Sequence, residues 1–132
     1  MIFLETSYLI NLNIAKAKFH EKAKEIELKI ENKPKAISEM VVYETLTVLR
    51  KLNQNETVIK KVYNNITDSK DITVFEDVLY YEEALDYTLN KNNIGFFDNL
   101  SYIVMQNNNI KTIASFDSDF DIFTDIKRIN QE

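Results

Sequence analysis

The chain has 132 residues, 45% hydrophobic and 28% charged, which suits one ordinary domain spanning 1–132. It has no cysteine, one histidine (His20) and one glycine (Gly95), which excludes disulfide scaffolds, Cys/His metal sites, thiol nucleophiles, P-loops and dinucleotide fingerprints. Sixteen Lys+Arg against 21 Asp+Glu leaves −5, no footprint for general electrostatic binding of nucleic acid, but compatible with an enzyme that carries it on a cation held by acidic residues.

In chain order, Ile2-Phe3-Leu4 reads as a short strand buried on both faces. Thr6 or Ser7 is then placed to cap a helix carrying Tyr8, Leu9, Ile10 and Leu12. Phe19, Ala23, Ile26 and Ile30 recur at helical spacing among Lys and Glu, and Lys35-Ala36-Ile37 after Pro34 predicts a second strand. A helix from Ser38 turns Val41, Val48, Leu49 and Leu52 inward, and the next repeats the pattern with Val58, Ile59, Val62, Tyr63 and Ile66. Ile72-Thr73-Val74-Phe75 is β-branched and aromatic, hence a third strand. Val78, Tyr81, Leu85 and Leu89 predict one amphipathic helix; Gly95 ends that connection before a last long helix from Phe97 to Met105. A fourth strand is expected over 111–116 and a short fifth over 126–129. Strands alternating with helices predict an α/β chain: three layers, with a central parallel sheet of four or five short strands and helices on both faces. The N-terminus has no leader pattern and no run is long enough for a membrane span, so the expected location is the cytoplasm, with no membrane partner.

In such sheets ligands bind beyond the carboxyl ends of the strands, where strand order reverses. The residues there are acidic: Glu5 closes strand one, Asp117 closes strand four with Asp119 and Asp121 after it, and Asp98 opens the last long helix. Glu44 lies inside a helix between Met40 and Val48, on an apolar row. Singly, Asp98 reads as an N-cap, Asp117 and Asp119 as turn formers, Glu5 as a strand-end charge, and Glu44 as half of an ion pair with Arg50 or Lys51. Together they form a set of carboxylates that only a divalent cation makes economical, and oxygen ligands without His or Cys point to Mg²⁺ or Mn²⁺. His20 reads as solvent-exposed, the charged positions of 16–35 as a solvated face, and Tyr80, Tyr81 and Tyr87 as packing against the sheet or stacking on bases.

Phe3-Leu4-Glu5-Thr6-Ser7, the helix from Ser38 to Leu46, Gly95-Phe96-Phe97-Asp98 and Ala114-Ser115-Phe116-Asp117-Ser118-Asp119-Phe120 resemble, in order and spacing, a PIN domain of the VapC-like ribonucleases. The resemblance implies metal-dependent cleavage of RNA, Mg²⁺ or Mn²⁺ as cofactor, an antitoxin encoded alongside, and a homodimer. Residue by residue it implies catalytic and metal-binding roles for Glu5, Glu44, Asp98 and Asp117, an assisting metal ligand in Asp119, and support of the first carboxylate by Thr6 and Ser7. The family pattern has Asp where this chain has Glu5. The added methylene moves the carboxylate by about an ångström or more, against a tolerance of about 0.5 Å in productive sites. That departure implies preference for Mn²⁺ over Mg²⁺, or else a catalytically weak or inactive binding module.

Overall fold

The structure, a computed structural model, describes residues 1–129. Five strands, β1 (Ile2–Leu4), β2 (Lys35–Ser38), β3 (Ile72–Phe75), β4 (Thr112–Ala114) and β5 (Lys127–Arg128), form one parallel sheet in the order β3-β2-β1-β4-β5. Six α-helices connect them: α1 (Thr6–Asn13), α2 (His20–Ile30), α3 (Glu39–Lys51), α4 (Glu56–Thr67), α5 (Tyr81–Asp86) and α6 (Phe96–Asn107). The chain steps from β1 through β2 to β3 toward one edge, then returns past β1 to β4 and β5. Right-handed crossovers therefore place α1 to α4 on one face and α5 and α6 on the other. The helix contacts largely follow the same division, with α1 on α2 and α3, α3 on α4, and α5 on α6; α3 and α6 also meet across it. The reversal of direction lies between β1 and β4, so the crevice beyond their carboxyl ends is the expected ligand position.

Phe3, Ile37 and Ile113 are fully buried at the sheet centre, where each such side chain contributes about 1.5–3 kcal/mol by leaving water. Helix α6 buries every residue from Asn99 to Met105, which explains why its sequence is apolar nearly all round. Asn99, fully buried, meets its hydrogen-bonding demand through a reciprocal pair with Asn92: Asn92 Nδ2 donates to Asn99 Oδ1 at 2.7 Å and Asn99 Nδ2 to Asn92 Oδ1 at 3.0 Å. That pair clamps the turn from which α6 starts.

Several expectations need correction. No hydroxyl caps α1: its N-cap is Glu5, without a side-chain cap bond, because the Thr6 and Ser7 hydroxyls are used elsewhere. Helix α3 stops at Lys51, so Leu52 lies past its end and is exposed; Asn53 follows with φ 61°, a left-handed turn that Asn tolerates. The segment expected as one helix is three short pieces: a 3₁₀ turn (Val78–Tyr80), α5, and a π turn (Tyr87–Lys91). Its inward face is Tyr81, Ala84 and Tyr87, not the leucines. Ala84 is fully buried and lets α5 approach α6 closely, which rotates Val78, Leu85 and Leu89 outward. Tyr80, Tyr81 and Tyr87 are partly buried and pack against the core, Tyr81 meeting Phe96 edge-on and Tyr87 lying against Tyr102. Strands four and five are shorter than expected, at Thr112–Ala114 and Lys127–Arg128.

Asp77, 2% exposed, ties the two faces together. Its Oδ2 accepts the Met40 N–H at the start of α3 (2.8 Å) and its Oδ1 accepts the Tyr81 hydroxyl at the start of α5 (3.1 Å). It satisfies a helix-end donor and places negative charge at the positive end of the α3 dipole. Asp77→Ala should therefore cost about 2–4 kcal/mol in urea unfolding, against about 1 kcal/mol for Tyr81→Phe. Equal stability of Asp77→Ala and the unsubstituted chain would remove Asp77 from this role.

Candidate metal centre

Parallel pairing of β1 with β4 sets Leu4 beside Ala114, and the Glu5 N–H then donates to the Ala114 carbonyl at 3.2 Å. One residue further, Glu5 and Ser115 emerge side by side. Glu5 is buried, and its Oε1 accepts both the Ser115 hydroxyl and the Ser7 hydroxyl, each at 2.5 Å. Those hydroxyls are themselves oriented by the backbone. Phe116 N–H donates to Ser7 Oγ at 2.8 Å and Asp117 N–H to Ser115 Oγ at 3.0 Å, so each hydroxyl is left to donate its own proton to Glu5. Burial pushes the Glu5 carboxyl above the usual range; the serine bonds oppose this and nearby Asp117 adds to it.

Glu44 does not pair with Arg50 or Lys51. Its Oε1 accepts the Thr6 hydroxyl at 2.6 Å, with Thr45 Oγ1 3.5 Å behind Thr6. Of the hydroxyl pair expected behind the first carboxylate, Ser7 supports Glu5 and Thr6 holds Glu44 instead. Asp98 lies in the first turn of α6 but caps nothing, since the N-cap is Gly95. Asp117 does form the expected turn: its Oδ1 accepts the Asp119 N–H at 2.9 Å and caps the 3₁₀ turn Ser118–Ile122. Asp121 belongs elsewhere, because Arg128 binds it through Nε at 2.7 Å and Nη2 at 2.8 Å. That fork pins the acidic turn to β5.

Glu5, Glu44, Asp98 and Asp117 line one open cavity of about 610 Å³. The tightest group within the set is Asp98, Asp117 and Asp119, whose carboxylate oxygens lie within 4.8 Å of one another. Glu5 and Glu44 face the same cavity outside that group. Among the described residues, no lysine or arginine lines it. Two unit charges at about 4 Å repel by about 4 kcal/mol at an effective dielectric near 20, so the cluster needs protons or a cation. The half-buried Asp98 shows the strain most: burial, then Asp117, Glu5, Asp119 and Glu44, push its carboxyl up to about 7. A set of carboxylate oxygens in excess charge, with neither His nor Cys, fits a hard divalent cation.

Residues the sequence did not single out complete the site. Ser115 could have been found from the β1–β4 register alone. Asn92 and Asn99 clamp the approach to Asp98 and carry no local signal. Asn11 lines the cavity and accepts the Phe19 N–H at 2.9 Å. His20 is partly buried rather than exposed, with Nδ1 2.9 Å from the Asn11 carbonyl.

A family profile described as PIN domain matches residues 2–125. Among solved structures, the chain is similar to VapC20 of Mycobacterium tuberculosis, a toxin that cleaves the sarcin–ricin loop. The TM-score is 0.82 at 24% identity, covering 92% of this chain and 94% of that one, a likeness of fold. In sequence the chain matches none of the curated proteins.

Because the Asp98 carboxyl is raised in the folded chain, its ionisation works against folding. The metal-free protein should be most stable below about pH 4 as far as this group is concerned, and lose that contribution as pH rises toward and through about 7. After allowance for partial solvent screening the loss is about 1–2 kcal/mol. Asp98→Asn should flatten the stability profile between about pH 4 and 7 in chelator; an unchanged slope there would contradict the electrostatic reading of the cluster.

Proposed function

The chain belongs to the PIN domain family, and from that premise we propose that it is a metal-dependent endoribonuclease of the VapC type, the toxin of a toxin–antitoxin pair. The observation that carries the reading is the convergence of Asp98, Asp117 and Asp119, with Glu5 and Glu44, at the reversal point of the sheet.

Asp98, Asp117 and Asp119 would hold Mg²⁺ or Mn²⁺. When bound, such an ion makes water a competent nucleophile near neutral pH and offsets charge developing on the phosphodiester. Asp98 must give up its proton for the ion, so metal affinity should rise with pH through about 7. Glu5, aimed by two hydroxyls, and Glu44, aimed by Thr6, border the same space and orient what enters it.

No described helix is long and apolar enough to cross a membrane. In this reading the protein acts in the cytoplasm on RNA, is silenced by an antitoxin, and forms a homodimer. The exposed Val78, Leu79, Leu85 and Leu89 around α5 support a protein partner.

Cleavage of fluorogenic RNA oligonucleotides with and without Mg²⁺ or Mn²⁺ tests the activity. Asp98→Asn should lower cleavage by at least about 100-fold, and Ser115→Ala, which removes one hydroxyl from Glu5, by about 10–100-fold in metal affinity or rate, with each variant still folded. Expression in a bacterial host should slow growth, and Asp98→Asn should relieve it. Folded protein that cuts no RNA with either ion, and leaves growth unimpaired, would instead favour the inactive binding module.

A further inference from the structure

The site is poorly equipped to hold a polyanion by charge. The chain carries −5 overall, and no described lysine or arginine lines the cavity, so neutralisation of phosphates by basic side chains contributes little there. Affinity for a strand must come from another source.

Phe97, directly before Asp98, lines the same cavity and leaves 46% of its surface in solvent. A phenylalanine so exposed forgoes much of the transfer free energy that ordinarily buries it. Its backbone is fixed in the first turn of α6, behind the Asn92–Asn99 clamp. The ring is braced in a ladder of aromatic contacts. It meets Phe96 at 6.1 Å and 69°, Phe96 meets Tyr81 at 6.1 Å and 67°, and the Tyr81 hydroxyl is tied to Asp77. A half-exposed ring, backed by Phe96 and one residue from Asp98, offers an aromatic face to whatever enters the cavity.

We infer that Phe97 stacks on an unpaired nucleobase next to the scissile phosphate and supplies a large part of the hold on the strand that basic side chains do not provide. This rests on the ribonuclease reading of the cavity. A base within a duplex has both faces covered by its neighbours and cannot be taken by an aromatic ring without first being extruded. Stacking tolerates every base, so the contact adds hold on a strand without hydrogen-bond readout. Phe97 is thus a binding residue, distinct from the carboxylates proposed to hold the ion.

The chain has no tryptophan, so Phe97→Trp installs a single indole at that position. On rapid mixing with a single-stranded RNA oligonucleotide, ahead of cleavage, its fluorescence should be quenched, and mixing with the matching duplex should leave it unchanged. In steady-state cleavage, Phe97→Leu should raise KM by about 10–100-fold with little change in kcat, and Phe97→Tyr should restore it. Thermal unfolding of each variant checks that the fold is kept. If Phe97→Leu cleaves with unaltered KM, if Phe97→Tyr fails to restore it, or if the indole does not respond to single strands, the inference is overturned while the nuclease reading stands on the unsubstituted protein. If the unsubstituted protein neither binds nor cuts any RNA, the nuclease reading fails first and the inference falls with it.

Discussion

The organising constraint of this molecule is the repulsion among carboxylates gathered beyond the ends of β1 and β4. Glu5, Glu44, Asp98 and Asp117 come from four separate parts of the chain, and nothing local holds them together. Each is held by a different device: two hydroxyls for Glu5, one for Glu44, the first turn of α6 for Asp98, and an Asx turn for Asp117. Burial first, and this repulsion after it, raise the carboxyl groups of Glu5 and Asp98. Stability elsewhere must exceed it, which is the role of the apolar sheet and of α6, buried on nearly every side.

The site is open, but the elements around it are tied down by hydrogen bonds. Arg128 ties the acidic turn to the last strand, Asn92 and Asn99 close the turn before Asp98, and Asp77 joins the starts of α3 and α5. The Arg128 and Asn92–Asn99 ties each span seven residues, whereas the contact of Asp77 with the Met40 amide spans 37. The carboxylates are thus placed by local turns and by tertiary contacts together, the kind of prior ordering that a cation with strict coordination would need.

Much of the fold was legible in the residues because the buried strands are short apolar runs and most helices keep one apolar stripe. The failure at Val78, Leu85 and Leu89 has a specific cause. Periodicity weights large apolar side chains, whereas the closest packing on α6 is made by Ala84, whose small size is the reason the approach is possible. The candidate carboxylates were legible because strand ends and helix starts are recognisable, and acidic residues stood at each. Their partners were not, since the contacts of Ser115 with Glu5 and of Thr6 with Glu44 span 110 and 38 residues, and depend on strand register and on how α3 meets α1. The reading of Asp98 as a helix cap failed for a related reason: Gly95 at the N-cap places Asp98 inside the first turn, where its carboxylate is released toward the cavity.

Glu5, the one departure from the family's pattern of acidic residues, has a local structural counterpart. Both hydroxyls that reach it are anchored from behind, Ser7 by the Phe116 amide and Ser115 by the Asp117 amide, so their positions follow β4 and the turn after it rather than the carboxylate. Two fixed donors at 2.5 Å from a single oxygen define where that oxygen must lie. The longer glutamate arm reaches that point from the end of β1; an aspartate on the same backbone stops one methylene short and gives up bonds to oxygens that are already committed. The extra rotor of glutamate, which alone would cost about 0.5 kcal/mol or more in side-chain entropy, is frozen by the two hydroxyls before anything enters the cavity. The length of the side chain at position 5 and the serines at 7 and 115 therefore form one unit, and the effect of changing any one of them depends on the other two.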